Sequence, residues 1–137
     1  MMDYKKIEAW ILASDLAVAV YSMTSDFPKE ERFGLVSQIR RAAISALANI
    51  AEGASRQYQR EYLQFLYLAR GSLTEAKSLL EISLRLSFVR STKFQNLHAL
   101  HEKTSRCLYG LIRAVEKQVR SPQSVVRSPN NKEAAYV

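Results

Sequence analysis

No proline lies between Lys29 and Ser121. Proline breaks or kinks a helix, because its ring removes one backbone hydrogen bond and clashes with the preceding turn. A segment this long without one is free to be helical nearly throughout. The whole chain has only three prolines, Pro28, Pro122 and Pro129, and four glycines. Sandwiches and barrels need turn residues about every ten positions, so long helices with few connections are what remain. At 137 residues and 47% hydrophobic content, the chain is expected to form one domain, with enough apolar mass for a core.

The apolar period supplies the helices. Ile7, Trp10, Ala13, Ala17, Val20 and Tyr21 recur at three and four, which predicts a first helix over residues 4–24. Ser25-Asp26-Phe27-Pro28 interrupts it, since Pro28 drives Phe27 out of the helical region. Phe33, Val36, Ile39, Ala43, Ala46, Leu47 and Ile50 predict a second helix over 29–52. This helix is rich in small residues and is expected to pack on more than one side. Gly53 is expected to end it in the left-handed conformation. A third helix is expected over 57–86, with Gly71 in its middle. An interior glycine costs about 1 kcal/mol against alanine, so Gly71 is expected to pack closely on the second helix. Phe94, Leu97, Leu100, Thr104, Cys107, Leu108, Leu111, Ile112 and Val115 predict a fourth helix over 92–119. The expected architecture is all-α: an antiparallel up-down-up-down four-helix bundle over 1–119. The polar, proline-punctuated residues 120–137 read as a disordered C-terminal tail.

The formal net charge is +7, and the excess is concentrated. Arg32, Arg40, Arg41, Arg56 and Arg60 face only Glu52 in sequence. Arg85, Arg90, Lys93, Lys103, Arg106, Arg113, Lys117 and Arg120 face only Glu102 and Glu116. Arginine outnumbers lysine, and its planar fork suits phosphate while its plane stacks on bases. A polyanionic partner is the functional expectation; arginines that solvate a helix face and pair with carboxylates are the alternative. Arg40 and Arg41 point about 100° apart on a helix, so one is expected to reach solvent and the other a neighbouring helix or subunit. No sequence-reading nucleic-acid motif is present.

Catalytic signatures are absent. There is no glycine-rich phosphate loop, no nucleophile elbow and no His-Glu-x-x-His. His98 and His101 lie three apart on the fourth helix and read as surface or flank histidines. Cys107 lies on the apolar stripe and reads as a small hydrophobe; as the only cysteine it excludes an internal disulfide. Asn49 with Glu52, and Ser72 with Glu75, each sit one turn apart. Capping, inter-helix hydrogen bonds and ion pairs with Arg56 or Arg70 are their expected roles, a paired-carboxylate site being the alternative. No cofactor or metal is expected. No apolar run reaches the ~20 residues of a membrane span, so the expected location is the cytoplasm.

Several segments also match a family in order. These are Phe27-Pro28-Lys29-Glu30-Glu31-Arg32-Phe33-Gly34-Leu35-Val36-Ser37-Gln38-Ile39-Arg40-Arg41-Ala42-Ala43, then Asn49-Ile50-Ala51-Glu52-Gly53, Glu61-Tyr62-Leu63-Gln64-Phe65-Leu66 and Ala69-Arg70-Gly71-Ser72-Leu73-Thr74-Glu75. Over about residues 4–117 the chain resembles the four-helix-bundle family of bacterial 23S rRNA intervening-sequence proteins, also labelled S23 ribosomal proteins. That family is related to the accessory variability protein of diversity-generating retroelements. The resemblance implies a homopentamer with a basic surface for nucleic acid, or else an adaptor for a reverse transcriptase. The candidate nucleic-acid contacts are Arg40, Arg41, Arg56, Arg60, Arg70, Arg106, Arg113 and Lys117. The candidate structural positions are Asn49, Glu52, Gly53, Gly71, Ser72 and Glu75. One departure is Tyr58, which stands where the family usually carries a capping serine or threonine.

Overall fold

The computed structural model describes residues 3–121. Four α-helices carry the fold: α1 (Glu8–Thr24), α2 (Leu35–Ala54), α3 (Gln59–Arg85) and α4 (Ser91–Arg120). Short 3-10 turns at Tyr4–Lys6 and Lys29–Glu31 precede α1 and α2. Each helix packs on two neighbours in a closed ring: α1 on α2 and α4, α3 on α2 and α4. Cross-helix bonds tie consecutive helices together. Arg40 reaches Thr24, Ser45 reaches Ser72, and Gln59 reaches Gln118. The core runs along the bundle axis through Leu16 and Val20 of α1, Ile39 and Ile50 of α2, Tyr62, Leu66 and Leu73 of α3, and Leu108, Ile112 and Val115 of α4. Of the tail expected over residues 120–137, Arg120 is instead the last residue of α4, and residues 122–137 lie outside the described residues.

The helices follow the sequence period, with four differences. The second helix does not begin at Lys29. Gly34, a weak helix former, stands at its N-cap, and α2 starts at Leu35. The turn before it leaves Phe33 88% exposed rather than in the core.

Gly53 does not end α2 in a left-handed conformation, and no glycine among the described residues has a positive φ. It lies inside the helix, where a Cβ would sit 2.7 Å from Phe65 Cβ and 3.0 Å from Tyr62 Cδ1. Its missing side chain is what lets α2 and α3 approach. Ser55 closes the helix instead, its Oγ donating to the Glu52 carbonyl at 2.7 Å.

Gly71 is the reverse case. It is exposed, and a Cβ there would meet nothing within 4 Å, so the close α2–α3 contact belongs to Gly53. The residue that does turn left-handed is Ser87, at φ 63°. Phe88 N–H donates to Ser83 O and Ser87 N–H to Leu84 O, the paired bonds of a Schellman motif. Phe88 then packs on Phe27, 5.5 Å between ring centroids.

Candidate functional site

The antiparallel register of α3 and α4 gathers basic residues that are far apart in sequence. His101 Nε2–H donates to the Leu73 carbonyl at 2.6 Å, Lys77 pairs with Glu102 at 3.4 Å, and Tyr67 O–H donates to Glu116 at 2.6 Å. These contacts set Arg70 of α3 opposite Arg106 and Tyr109 of α4. Together with Leu73, Thr74, Glu102, Ser105 and Leu108 these line an open groove of about 560 Å³. Its lining surface is mostly apolar, with Leu73 and Leu108 buried beneath it. A second depression of about 380 Å³ adjoins it, lined by Tyr109, Arg113, Ala114, Glu116, Lys117 and Arg120. Tyr109 forms the shared wall.

Both carboxylates of this face are already engaged. Glu102 accepts from Lys77, and that hydrogen bond holds its carboxyl below the usual glutamate range. Glu116 accepts the Tyr67 hydroxyl, which raises the tyrosine pKa. Five cations surround the two depressions, Arg70, Arg106, Arg113, Lys117 and Arg120, and the Glu116 charge acts on Arg113. Two of them lie over aromatic rings: Arg70 over Tyr67 at 4.9 Å and Arg113 over Tyr109 at 5.7 Å. Arg113 also donates to the Tyr109 hydroxyl at 3.2 Å.

The other sequence candidates are placed elsewhere. Arg40 crosses to α1: its Nε donates to Thr24 Oγ1 at 2.8 Å, and its guanidinium lies 4.5 Å from the Tyr21 ring centroid. Arg41 is exposed beside it, so the pair divides as their angular offset requires. Both line a shallow depression with Tyr21, Arg32, Phe33 and Ile44, on the α1/α2 side of the bundle. Arg56 pairs with Glu52 at 2.7 Å and lies over Phe65. Arg60 is exposed near the start of α3. Gln59 reaches Gln118, so Arg56 and Arg60 share the end of the bundle with Lys117 and Arg120.

The structural candidates mostly make short local contacts. Asn49 Nδ2 donates to the Ser45 carbonyl at 2.9 Å, and Ser45 meets Ser72 at 2.8 Å. Glu75 is exposed. Ser45 lies opposite Ser72, and Glu52 and Glu75 depart from that point in opposite directions by seven and three residues. At the helical rise this separates the two carboxylates by about 15 Å along the bundle, too far for a paired acid/base site.

His101 corrects its sequence reading. It is buried rather than on the surface, because its ring satisfies itself against the Leu73 carbonyl between α3 and α4. Burial pushes its pKa below the ordinary histidine value, against the opposing pull of that hydrogen bond. Cys107 is half-buried, and burial raises its pKa, which disfavours the thiolate. Among the described residues no group of three or more His, Cys, Asp or Glu could hold a metal ion. No helix there is long and apolar enough to cross a membrane.

Tyr109 is the residue that the reading of charge missed. It is 53% exposed, and it stands between Arg106 and Arg113 but off the apolar stripe of α4. An aromatic residue out of phase with its helix's core face, spaced one turn from arginines on both sides, was the available signal.

Comparison with known proteins adds three findings. A family model described as 23S rRNA-intervening sequence protein matches residues 5–110. A crystal structure of a protein of unknown function from Bacteroides thetaiotaomicron, of the S23 ribosomal protein family, is similar in fold with a TM-score of 0.71. The two are 20% identical, and the match covers 77% of this chain and 95% of that one. No curated protein matches the sequence.

Proposed function

We propose that this chain, which belongs to the family of 23S rRNA-intervening sequence proteins, is a non-enzymatic bundle that binds nucleic acid, structured RNA or DNA, through the α3/α4 face. We propose further that it works as a homo-oligomer, five subunits being the count that the family resemblance implies. The observation that carries the binding half is the charge balance of that face. Five cations stand around two open depressions; Lys77 offsets Glu102, and Glu116, which only a neutral tyrosine hydroxyl meets, still leaves the face with a clear positive excess. Such a surface attracts phosphate by releasing condensed counterions. The family description concerns a ribosomal RNA intervening sequence, which agrees with a polyanion as ligand.

Assembly is supported by exposed apolar side chains that the monomer leaves uncovered. Val18 is 71% exposed and Phe33 88%, and Phe33 lines one depression with Tyr21 and Ile44. Clustered apolar exposure of this kind marks contact surfaces more often than scattered single residues do.

The test is a titration with a structured RNA and a duplex DNA at about 50 and 200 mM salt, with mass measured in solution on the same sample. Binding that weakens steeply with salt, by a species heavier than one chain, is the expected result. Failure of both nucleic acids at low salt removes the binding half, and a single-chain mass removes the assembly half.

A further inference from the structure

The two depressions on the α3/α4 face differ in chemistry and share one wall. The larger has a mostly apolar lining over Leu73 and Leu108, with Arg70 and Arg106 at its edges. The smaller carries Arg113, Lys117 and Arg120. Tyr109 stands between them, half-exposed, its hydroxyl held by Arg113 at 3.2 Å. A flat apolar body next to an anion is the chemistry of a nucleotide. In a duplex the base faces are hidden by stacking, and only phosphates and groove edges reach a protein. In a single strand the faces are available, and aromatic side chains beside a basic track receive them.

We propose that the α3/α4 face binds single-stranded nucleic acid, with a base seated in the larger groove against Tyr109 and the adjoining phosphates on Arg113, Lys117 and Arg120. This rests on the nucleic-acid reading above and names the form of ligand. The groove's 560 Å³ falls within the range of about 300–1,000 Å³ typical of small-ligand pockets, so it has room for a base. Glu102 lies in its wall and is neutralised by Lys77, which leaves Arg70 and Arg106 as the charges a phosphate would meet there. The hydroxyl bond from Arg113 restrains the Tyr109 ring. Stacking on a ring face and contact with phosphate serve every base alike, so selectivity for strandedness rather than sequence is the expected outcome. RNA and DNA share the recognised chemistry, a base face beside a phosphate.

The experiment is fluorescence anisotropy with the full chain, using labelled oligo-U, oligo-dT and a duplex of equal length. The single strands are expected to bind at least tenfold more tightly than the duplex. Tyr109→Ala is expected to lose about tenfold or more on single strands, the scale of one base–aromatic stack, and little on the duplex. Tyr109→Phe keeps the ring face and is expected to retain most of the binding. Tyr109 is exposed, so circular dichroism should show both variants folded. The oligo-U and oligo-dT arms show whether the sugar matters. If duplex and single strand bind alike and Tyr109→Ala is silent, the groove proposal is overturned while salt-dependent phosphate binding stands. If no probe binds at low salt, the nucleic-acid reading falls as well. If Tyr109→Ala lowers the solution mass and leaves binding unchanged, the groove is a subunit contact and the proposal is overturned.

Discussion

Gly53→Ala should destabilise the bundle, although alanine is the better helix former. The added Cβ would lie 2.7 Å from Phe65 Cβ, 3.0 Å from Tyr62 Cδ1 and 3.2 Å from the Tyr62 carbonyl oxygen. Carbon atoms in contact prefer about 3.5–4 Å, so roughly 1 Å of relief is needed. Neither Phe65 Cβ nor a backbone oxygen can swing aside as a side-chain tip can, so α2 and α3 must separate at their closest approach. Overpacking of this kind costs about 1–3 kcal/mol. The propensity gain of about 1 kcal/mol is smaller here, because Gly53 is the penultimate residue of α2. A net loss of about 1–2 kcal/mol is expected. With a urea m-value of about 2 kcal/mol per molar, the middle of the usual range for small proteins, the unfolding midpoint should fall by about 0.5–1 M. Far-UV circular dichroism measures this, repeated at several protein concentrations so that subunit association is separated from folding. A midpoint equal to or above that of the wild type would refute the packing argument.

Gly71→Ala should move the other way, raising stability by up to about 1 kcal/mol, since the Cβ meets open space; a loss comparable to that of Gly53→Ala would contradict the placement. Ser87→Gly should stabilise by about 0.5–1 kcal/mol in thermal unfolding, because it relieves a left-handed non-glycine residue; an unchanged or lower Tm counts against the Schellman cap. Arg40→Ala should cost about 1–2 kcal/mol through the Thr24 bond and the Tyr21 contact, whereas Arg41→Ala should stay within about 0.5 kcal/mol; equal effects would mean the two arginines are not divided as described. His101 is buried with its pKa pushed down. Below about pH 6.5 the unfolded chain takes up a proton that the folded one resists, so stability should fall as pH drops from 7 towards 5. His101→Gln, which keeps a donor for Leu73, should flatten that limb, and an unaltered slope would assign it to other groups.

The helices were legible because their apolar residues keep a period of three to four, and the four-helix bundle follows from that period and the absence of interior breakers. The roles of the glycines were not. A glycine in a sequence marks a permissive backbone, and whether it ends a helix or admits a neighbour depends on where two helices cross. Gly53 therefore took the packing part expected of Gly71, and Gly71 took neither part. The left-handed residue at the end of α3 is a serine, which carries no composition signal for that conformation. Arg40 and Arg41 were legible as a divided pair from the 100° step of the helix, but the direction of the division needed the position of α1. The basic α3/α4 face was half-legible. Arg106, Arg113 and Lys117 share one helix face by spacing alone, while Arg70 joins them only through the register that His101, Tyr67 and Lys77 fix between α3 and α4. Arg56, equally basic in sequence, is tied to Glu52.

In the proposed function the α3/α4 cations bind phosphate. The most direct measurement is the slope of log Kobs against log salt for a single-stranded oligonucleotide, in the wild type and in an Arg106→Gln/Arg113→Gln/Lys117→Gln variant. Each neutralised phosphate contributes about −0.7 to that slope on single strands, so removing three cations should flatten it by about 2 and weaken binding at low salt. The alternative pair Arg40→Gln/Arg41→Gln, on the α1/α2 side, should leave the slope nearly unchanged. A triple variant that binds with the wild-type slope, or a larger loss from the α1/α2 pair, would contradict the account.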